Sequence, residues 1–195
     1  ASSGQSFSTE DSSIMGALQY PGVEMVSQVL EQQALLQYKD HQLPASIMGV
    51  DTLFAHLTQI DSIITSGRFI TYDGAFDRIV FGRGLATTLG VKAQFIDAIH
   101  LYAPKRQSSV NLLLPESNFT SATAFISGEF AVNQSVYVDK VAIVSLPLAR
   151  RLFGYDSTEV TALYLKINPK QMSMVKKALT HTLSPQYKVL DRYEQ

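Results

Sequence analysis

The stretch from Val160 to Leu183, VTALYLKINPKQMSMVKKALTHTL, has the clearest secondary-structure pattern in the chain. Apolar and polar side chains alternate in its first part, which predicts a strand with one buried face. The residues expected on the buried face are Leu163, Leu165 and Ile167. This strand is the first element of the fold predicted for the C-terminal end.

A helix is predicted directly after that strand. Asn168 is a suitable N-cap, and Pro169 suits the first helical position. Helical spacing then predicts a buried stripe of Met172, Val175 and Leu179. The following YKVLDRY, residues 187–193, is predicted to be another strand, which makes the C-terminal end strand–helix–strand.

The N-terminal end predicts a helix followed by two paired strands. The helix starts near Ser8 in STED, and a long hairpin runs through residues 23–51 with its turn at KDHQLP, residues 39–44. Together the two ends match the halves of a ferredoxin-like split βαβ fold. The fold class is therefore α+β, with residues 1–65 and 157–195 forming one subdomain.

Residues 66–156 predict an inserted β-rich subdomain, because short apolar runs separated by turn residues recur there. The runs are Ile79–Phe81, Ile96–Leu101, Ala124–Ile126, Val136–Val138 and Val141–Val144. A helix follows in SLPLARRLFG, with Ser145 as its cap and Gly154 at its end. Residues 103–121 predict a long loop.

Composition excludes several classes of function. The net charge of −1 provides no basic field for nucleic acid, so no nucleic-acid partner is expected. The chain has no cysteine, which removes disulfides, thiolate nucleophiles and most structural zinc sites. No apolar run is long enough to cross a bilayer.

The stretch IVFGRGLATTLGV, residues 79–91, superficially resembles a phosphate-binding loop. It lacks the third glycine of a dinucleotide fingerprint and the Lys-Ser/Thr pair of a Walker loop. Gly82 and Gly84 are instead expected to allow a tight turn from strand to helix, and Gly90 to end that helix.

No other chemical signature stands out. The four histidines show no metal-ligand spacing, no paired carboxylates are singled out, and no nucleophile elbow is present. We therefore expect no catalytic residue, no metal and no cofactor, and no enzymatic activity.

The loop at 103–121 is the candidate contact site for a partner. Three consecutive leucines in a polar loop are either folded onto the domain or available to another protein, and burial is slightly favoured by the residues alone. The candidate contact residues are Lys105, Arg106, Leu112, Leu113, Leu114, Pro115, Asn118 and Phe119.

Four segments in order resemble the periplasmic core domain of MacB-like ABC transporter permeases of the FtsX-like family, and more closely the lipoprotein-releasing LolC/LolE type. The segments cover residues 22–51, 79–92, 128–155 and 160–183, and the string G-x-x-L-A-x-x-L-G at 82–90 is the most specific. One departure is Ile96 before Asp97, where the family usually has a Gly-Asp pair.

The resemblance implies a periplasmic domain inserted between the first two membrane helices of a bacterial inner-membrane permease, with a porter-like α+β part and an inserted β-rich part. It implies a cytoplasmic ATPase and a partner permease. It also implies that Lys105–Thr120 contacts a periplasmic lipoprotein carrier or a lipoprotein substrate, so partner contact becomes a serious interpretation of the leucine run. Two alternatives remain open: a free-standing secreted protein with a ligand between two subdomains, and an enzyme whose site is assembled from distant residues.

Overall fold

The computed structural model describes residues 5–91, 97–106, 115–132 and 140–190, with no side-chain description for 115 and 116. The strands are β1 (Phe7–Ser8), β2 (Val23–Tyr38), β3 (His41–Val50), β4 (Ile64–Gly67), β5 (Arg78–Gly82), β6 (Ala98–Pro104), β7 (Phe119–Phe130), β8 (Val141–Ser145), β9 (Glu159–Val160) and β10 (Ala162–Ile167). The helices are α1 (Ser12–Leu18), α2 (Phe54–Thr58), α3 (Arg83–Leu89), α4 (Leu146–Phe153) and α5 (Met172–Thr182). Short 3-10 turns occupy Ile60–Ile63, Pro115–Asn118 and Pro169–Gln171.

The predicted N-terminal hairpin is confirmed. β2 pairs with β3 in an antiparallel ladder that extends to the pair Tyr38 and His41. The turn is therefore only Lys39 and Asp40, shorter than predicted, and Lys39 has a φ of 53°. A two-residue hairpin turn requires positive φ because its twist must match that of the strands.

Six of the described strands close into a ring. Going round it, β2 pairs with β3, β3 with β8, β8 with β5, β5 with β7, β7 with β6, and β6 again with β2. The pairs β3–β8 and β5–β7 are parallel and the other four are antiparallel. The hairpin at 23–50 thus supplies two strands of a ring whose other four strands lie between residues 78 and 145.

The ring has an apolar core that α3 and α4 extend. Fully buried side chains in this core include Leu30, Leu36, Ile47, Ile79, Phe81, Leu85, Leu89, Ile99, Leu101, Ile126, Leu148 and Leu152. The predicted helix at α4 is confirmed: the Ser145 hydroxyl accepts from the backbone N–H of Leu148, and Gly154 ends the helix with a φ of 70°.

α4 packs closely on β3. A Cβ built on Gly49 would lie 2.2 Å from the Cβ of Ala149, far inside normal contact distance. The missing side chain at this strand position lets helix and sheet approach each other.

β10 pairs with the first half of β2, and α1 and α5 cover one face of this pair. Ala17, Val175 and Leu179 are buried together there. Two details of the prediction were wrong. Met172 is 43% exposed, because residues 169–171 form a 3-10 turn after the Asn168 cap. The first helix, α1, starts at the Asp11 cap rather than near Ser8.

The predicted strand in YKVLDRY is absent from its described part, residues 187–190. The backbone N–H of Tyr187 donates to the Ser184 carbonyl, which closes a turn, and Val189 packs against the cluster under α5. The described residues therefore form a mixed, sheet-rich α+β fold without the closing strand of a ferredoxin-like half.

The middle of the chain contains longer strands than its apolar runs predicted. β7 begins at Phe119 instead of Ala124, and β4 lies in a stretch where no apolar run is predicted. From Ala124 to Phe130, buried and partly exposed positions alternate along β7, as in a strand with one face on the core. The predicted run Val136–Val138 lies outside the described residues.

Candidate functional site

The glycine turn is a structural corner. Gly82 is the last residue of β5 and caps α3 with a φ of −61°, so its backbone is extended rather than left-handed. Gly84 is the second residue of α3, and Gly90 ends the helix with a φ of 74°. Leu85 and Ala86, in the first turn of α3, are buried in the ring core. The conformation that requires glycine is found at Gly90.

Among the described residues, no group of three or more His, Asp or Glu side chains is close enough to hold a metal ion. The acidic turn at residues 72–77 is closed by its own hydrogen bonds. Backbone N–H groups of Phe76 and Ala75, followed by the side chain of Arg78, lower the pKa of Asp73 to about 2. This carboxylate therefore acts as the acceptor that shapes an exposed turn.

The candidate contact loop is the tip of the β6–β7 hairpin. β6 ends at Pro104, which is paired with Phe119 at the start of β7, so the connection is residues 105–118. The backbone N–H of Lys105 donates to the Asn118 carbonyl at 2.8 Å. Phe119 is 51% exposed at the base of this connection. Leu112, Leu113 and Leu114 lie outside the described residues, as does the side chain of Pro115.

Arg106, one of the predicted contact residues, is bound within the domain. Its guanidinium group donates to both carboxylate oxygens of Glu159 at 2.9 Å and to the Ser6 hydroxyl at 3.3 Å. It also stacks over the ring of Tyr155, with its central carbon 4.0 Å from the ring centroid. Planar donation to a carboxylate together with aromatic stacking is an arrangement that lysine does not reproduce.

The electrostatics of this cluster match its geometry. The hydrogen bonds from Arg106 hold the pKa of Glu159 below its ordinary value, and the same contact raises the pKa of Arg106. Glu159 also accepts from the Ser6 hydroxyl and from the backbone N–H of Asp156. The cluster of Ser6, Arg106, Tyr155 and Glu159 therefore fixes the root of the hairpin connection against the N-terminal segment. We call it the Arg106 clamp.

In addition to the pairing of β2 with β6, a side-chain hydrogen bond joins the β2–β3 hairpin to the residue before β6. The hydroxyl of Tyr38, at the tip of the hairpin, donates to the carboxylate of Asp97, just before β6. Asp97 is the acidic residue at the point where the sequence departs from the family pattern.

The two ends of the described chain lie side by side. The rings of Phe7 and Tyr187 are 5.2 Å apart in an edge-to-face arrangement, and the Tyr187 hydroxyl donates to the Asp11 carboxylate at 3.3 Å. β1 pairs with β9, which precedes β10. Both ends therefore leave from the same region of the domain.

Sequence reasoning missed Glu159 and Tyr155 as partners of Arg106. Glu159 is 53 positions from Arg106, and no local spacing relates the two. An acidic residue in a two-residue strand carries no signal of its partner until the fold brings the two together.

The sequence itself matches no family model and no curated protein. Solved structures do match the fold. The extracellular domain of the noncanonical ABC-type transporter YknZ from Gram-positive bacteria has a TM-score of 0.61 at 13% identity, over 95% of this chain and 90% of that one. The periplasmic region of MacB from Actinobacillus actinomycetemcomitans has a TM-score of 0.58 at 9% identity, over 87% and 70%.

These similarities establish the fold. The chain has the mixed α+β fold of the MacB-like extracytoplasmic domains of ABC-type transporters. Among the described residues, none of the helices has the length and hydropathy needed to cross a membrane.

Proposed function

We propose that this chain is the extracytoplasmic domain of an ABC transporter permease in a bacterial inner membrane, and that it has no catalytic site of its own. In this role it carries movements of the membrane helices, which a cytoplasmic ATPase drives, to a substrate or carrier in the periplasm. The fold shared with YknZ and MacB domains supports the general class.

The adjacent chain ends are the observation that carries the proposal. A domain inserted between two membrane helices must receive and return the chain on the side that faces the bilayer. The contact of Phe7 with Tyr187 and the hydrogen bond from Tyr187 to Asp11 bring the described ends together, which supports such an insertion. Ends on opposite sides of the domain would have opposed it.

The β6–β7 hairpin connection supports a finer version of the proposal. We propose that residues 105–118, with Phe119, contact a periplasmic lipoprotein carrier or the lipoprotein itself, and that a partner permease completes the transporter. The exposed ring of Phe119 supports this role. Because the Arg106 clamp joins the root of the connection to the segment near Ser6, a displacement of the N-terminal segment would reach the hairpin directly.

The complete reading frame provides the first test. Apolar helices of about 20 residues should lie shortly before Ala1 and shortly after Gln195. If the gene encodes a signal peptide and no later membrane helix, the chain is instead a free-standing secreted protein, and the proposal is wrong.

Cysteine labelling in cells provides the second test, because the chain has no native cysteine. Asp61→Cys, at an exposed position, should react in intact spheroplasts with a maleimide that cannot cross membranes. Ala142→Cys is the matched control, since Ala142 is fully buried and should react only after denaturation. Labelling of Asp61→Cys only after the membrane has been permeabilised would place the domain in the cytoplasm and contradict the proposal.

A further inference from the structure

We propose that the outward face of α5, formed by Met174, Lys177 and His181, rests on an anionic phospholipid surface. This inference rests on the proposed function, because it requires a bilayer next to the domain. It adds a second contact between domain and membrane, independent of the chain ends.

The geometry of α5 defines this face. Val175 and Leu179 are buried against α1 and the β2–β10 pair. Met174, Lys177 and His181 are spaced by three and four residues, which places them on one side of the helix, away from the buried pair. All three are exposed, and Met174 is 52% exposed.

The sequence that contains α5 and its flanking segments is rich in lysine. From residue 160 to residue 190 the sequence has five lysines and neither Asp nor Glu. The lysines are Lys166, Lys170, Lys176, Lys177 and Lys188. α1, which packs against α5, has no charged residue, and the carboxylate of its cap Asp11 accepts from Ser13 and Tyr187. Lys166 lies on β10 and faces away from α5, whereas the other four lysines lie in α5 or in the segments next to it, and they complement negative charge on a facing surface.

The position of α5 selects a membrane over a soluble acidic partner. α5 packs on α1, and Leu183 and Val189 of the following segment pack on the same cluster, so the helix lies beside both chain ends. If the chain continues into a bilayer from these ends, α5 is among the elements nearest to the lipid. An exposed methionine beside a lysine suits an interface, because the thioether enters the headgroup region while the ammonium pairs with phosphate.

Vesicle binding tests the inference with the chain as it stands. We expect it to sediment with vesicles of phosphatidylcholine and phosphatidylglycerol in equal parts at low salt, and not with pure phosphatidylcholine. The double variant Met174→Ser/Lys177→Glu should lower the partition coefficient by at least about fivefold, the factor expected from a single cation near an anionic surface.

Lys166→Glu is the matched control. Lys166 is exposed on β10 and points to the sheet face opposite Leu165 and Ile167, which pack under α5. Binding retained in this variant and lost in the double variant would support the α5 face. Equal losses in both variants, no difference between the two vesicle types, or no vesicle binding at all would overturn it. Cysteine labelling and the reading frame do not depend on this result, so the proposed function and the lipid contact can fail separately.

Discussion

The guanidinium group of Arg106 and the carboxylate of Glu159 are joined by two parallel hydrogen bonds of 2.9 Å. One partner stands at the root of the β6–β7 connection, and the other lies in β9, which pairs with β1. This contact links the candidate contact loop to the segment that enters the domain.

Replacing Arg106 by alanine removes the ion pair and the stacking on Tyr155 together. The free energy of unfolding should fall by about 1–2 kcal/mol, after allowance for the partial exposure of the pair. Arg106→Lys should recover only part of this loss, because an ammonium group cannot donate in parallel to both oxygens. Urea denaturation measures both variants.

Arg151→Ala is the control for that experiment. Arg151 pairs with Asp77 at 2.8 Å, but its side chain is 62% exposed, so solvent screens the pair more strongly than it screens the clamp. Removing this ion pair should lower the free energy of unfolding by less than about 1 kcal/mol. Equal losses for Arg106→Ala and Arg151→Ala would show that the clamp is an ordinary surface ion pair.

The lowered pKa of Glu159 predicts a pH dependence of stability. Because the carboxyl group binds its proton less readily in the folded state, its stabilising contribution is complete above its ordinary pKa of 4.5. That contribution is lost as the pH falls through the lower, folded value. The stability difference between the native chain and Glu159→Gln should therefore shrink from about pH 6 to about pH 3 in urea unfolding. A difference that stays constant over this range would contradict the assigned cause.

Gly49→Ala should be among the most damaging single-methyl additions in the described part of the chain. The new Cβ would overlap that of Ala149, and the neighbouring backbone of α4 leaves little room to shift. We expect a loss of about 1–3 kcal/mol, measured by thermal and urea unfolding. The double variant Gly49→Ala/Ala149→Gly should recover part of the lost free energy of unfolding.

Gly16→Ala is the control for added volume at a glycine. Gly16 lies in α1, and a Cβ placed on it would have nothing within 4 Å, so alanine should be neutral or stabilise by up to about 1 kcal/mol. Destabilisation at Gly16 equal to that at Gly49 would mean that the close approach of α4 and β3 is not the cause.

Substitutions at Gly90 test the backbone conformation that ends α3. The Gly90 φ of 74° is left-handed and a Cβ would contact nothing within 4 Å, so any cost comes from the backbone alone. Gly90→Ala should lower the free energy of unfolding by about 1 kcal/mol. Gly90→Asn should lower it by less, because asparagine tolerates this conformation. Equal costs for the two substitutions in thermal unfolding would contradict this explanation.

Serines in place of Leu112–Leu114 test the contact loop, although these residues lie outside the described ones. We expect the unfolding temperature to change by less than about 2 °C, while binding of a carrier or substrate by the intact transporter is lost. Leu101→Ser, at a fully buried position of β6, is the control that should unfold the domain. A large loss of stability in the loop variant would show that the leucines belong to the core.

The sequence predicted the elements whose signals are local. The hairpin at 23–50, the cap at Ser145 and the left-handed end at Gly154 each depend on a few adjacent residues, and the structure confirms them. In its described part, residues 187–190, the strand expected in YKVLDRY is absent, because apolar residues also fit an irregular segment that packs side chains under a helix. The buried role expected for Met172 failed because a 3-10 turn delays the start of α5.

The relationships between distant parts of the chain could not be predicted. The ring closes only because residues 35–37 of β2 pair with residues 100–102 of β6, and nothing in either stretch specifies the other. The Arg106 clamp is hidden for the same reason. The sequence predicts Arg106 as a contact residue for a partner, whereas its guanidinium group is bound to Glu159 and stacked on Tyr155 within the domain.

A single strand of sixteen residues serves both parts of the molecule. β2 is about 50 Å long, and it pairs with β10 near its start and with β6 near its end. Its pairing with β3 starts at Val29, where its pairing with β10 ends, so the two parts are joined by one continuous strand. A movement of one part relative to the other would therefore have to bend β2 itself or break backbone pairs along it.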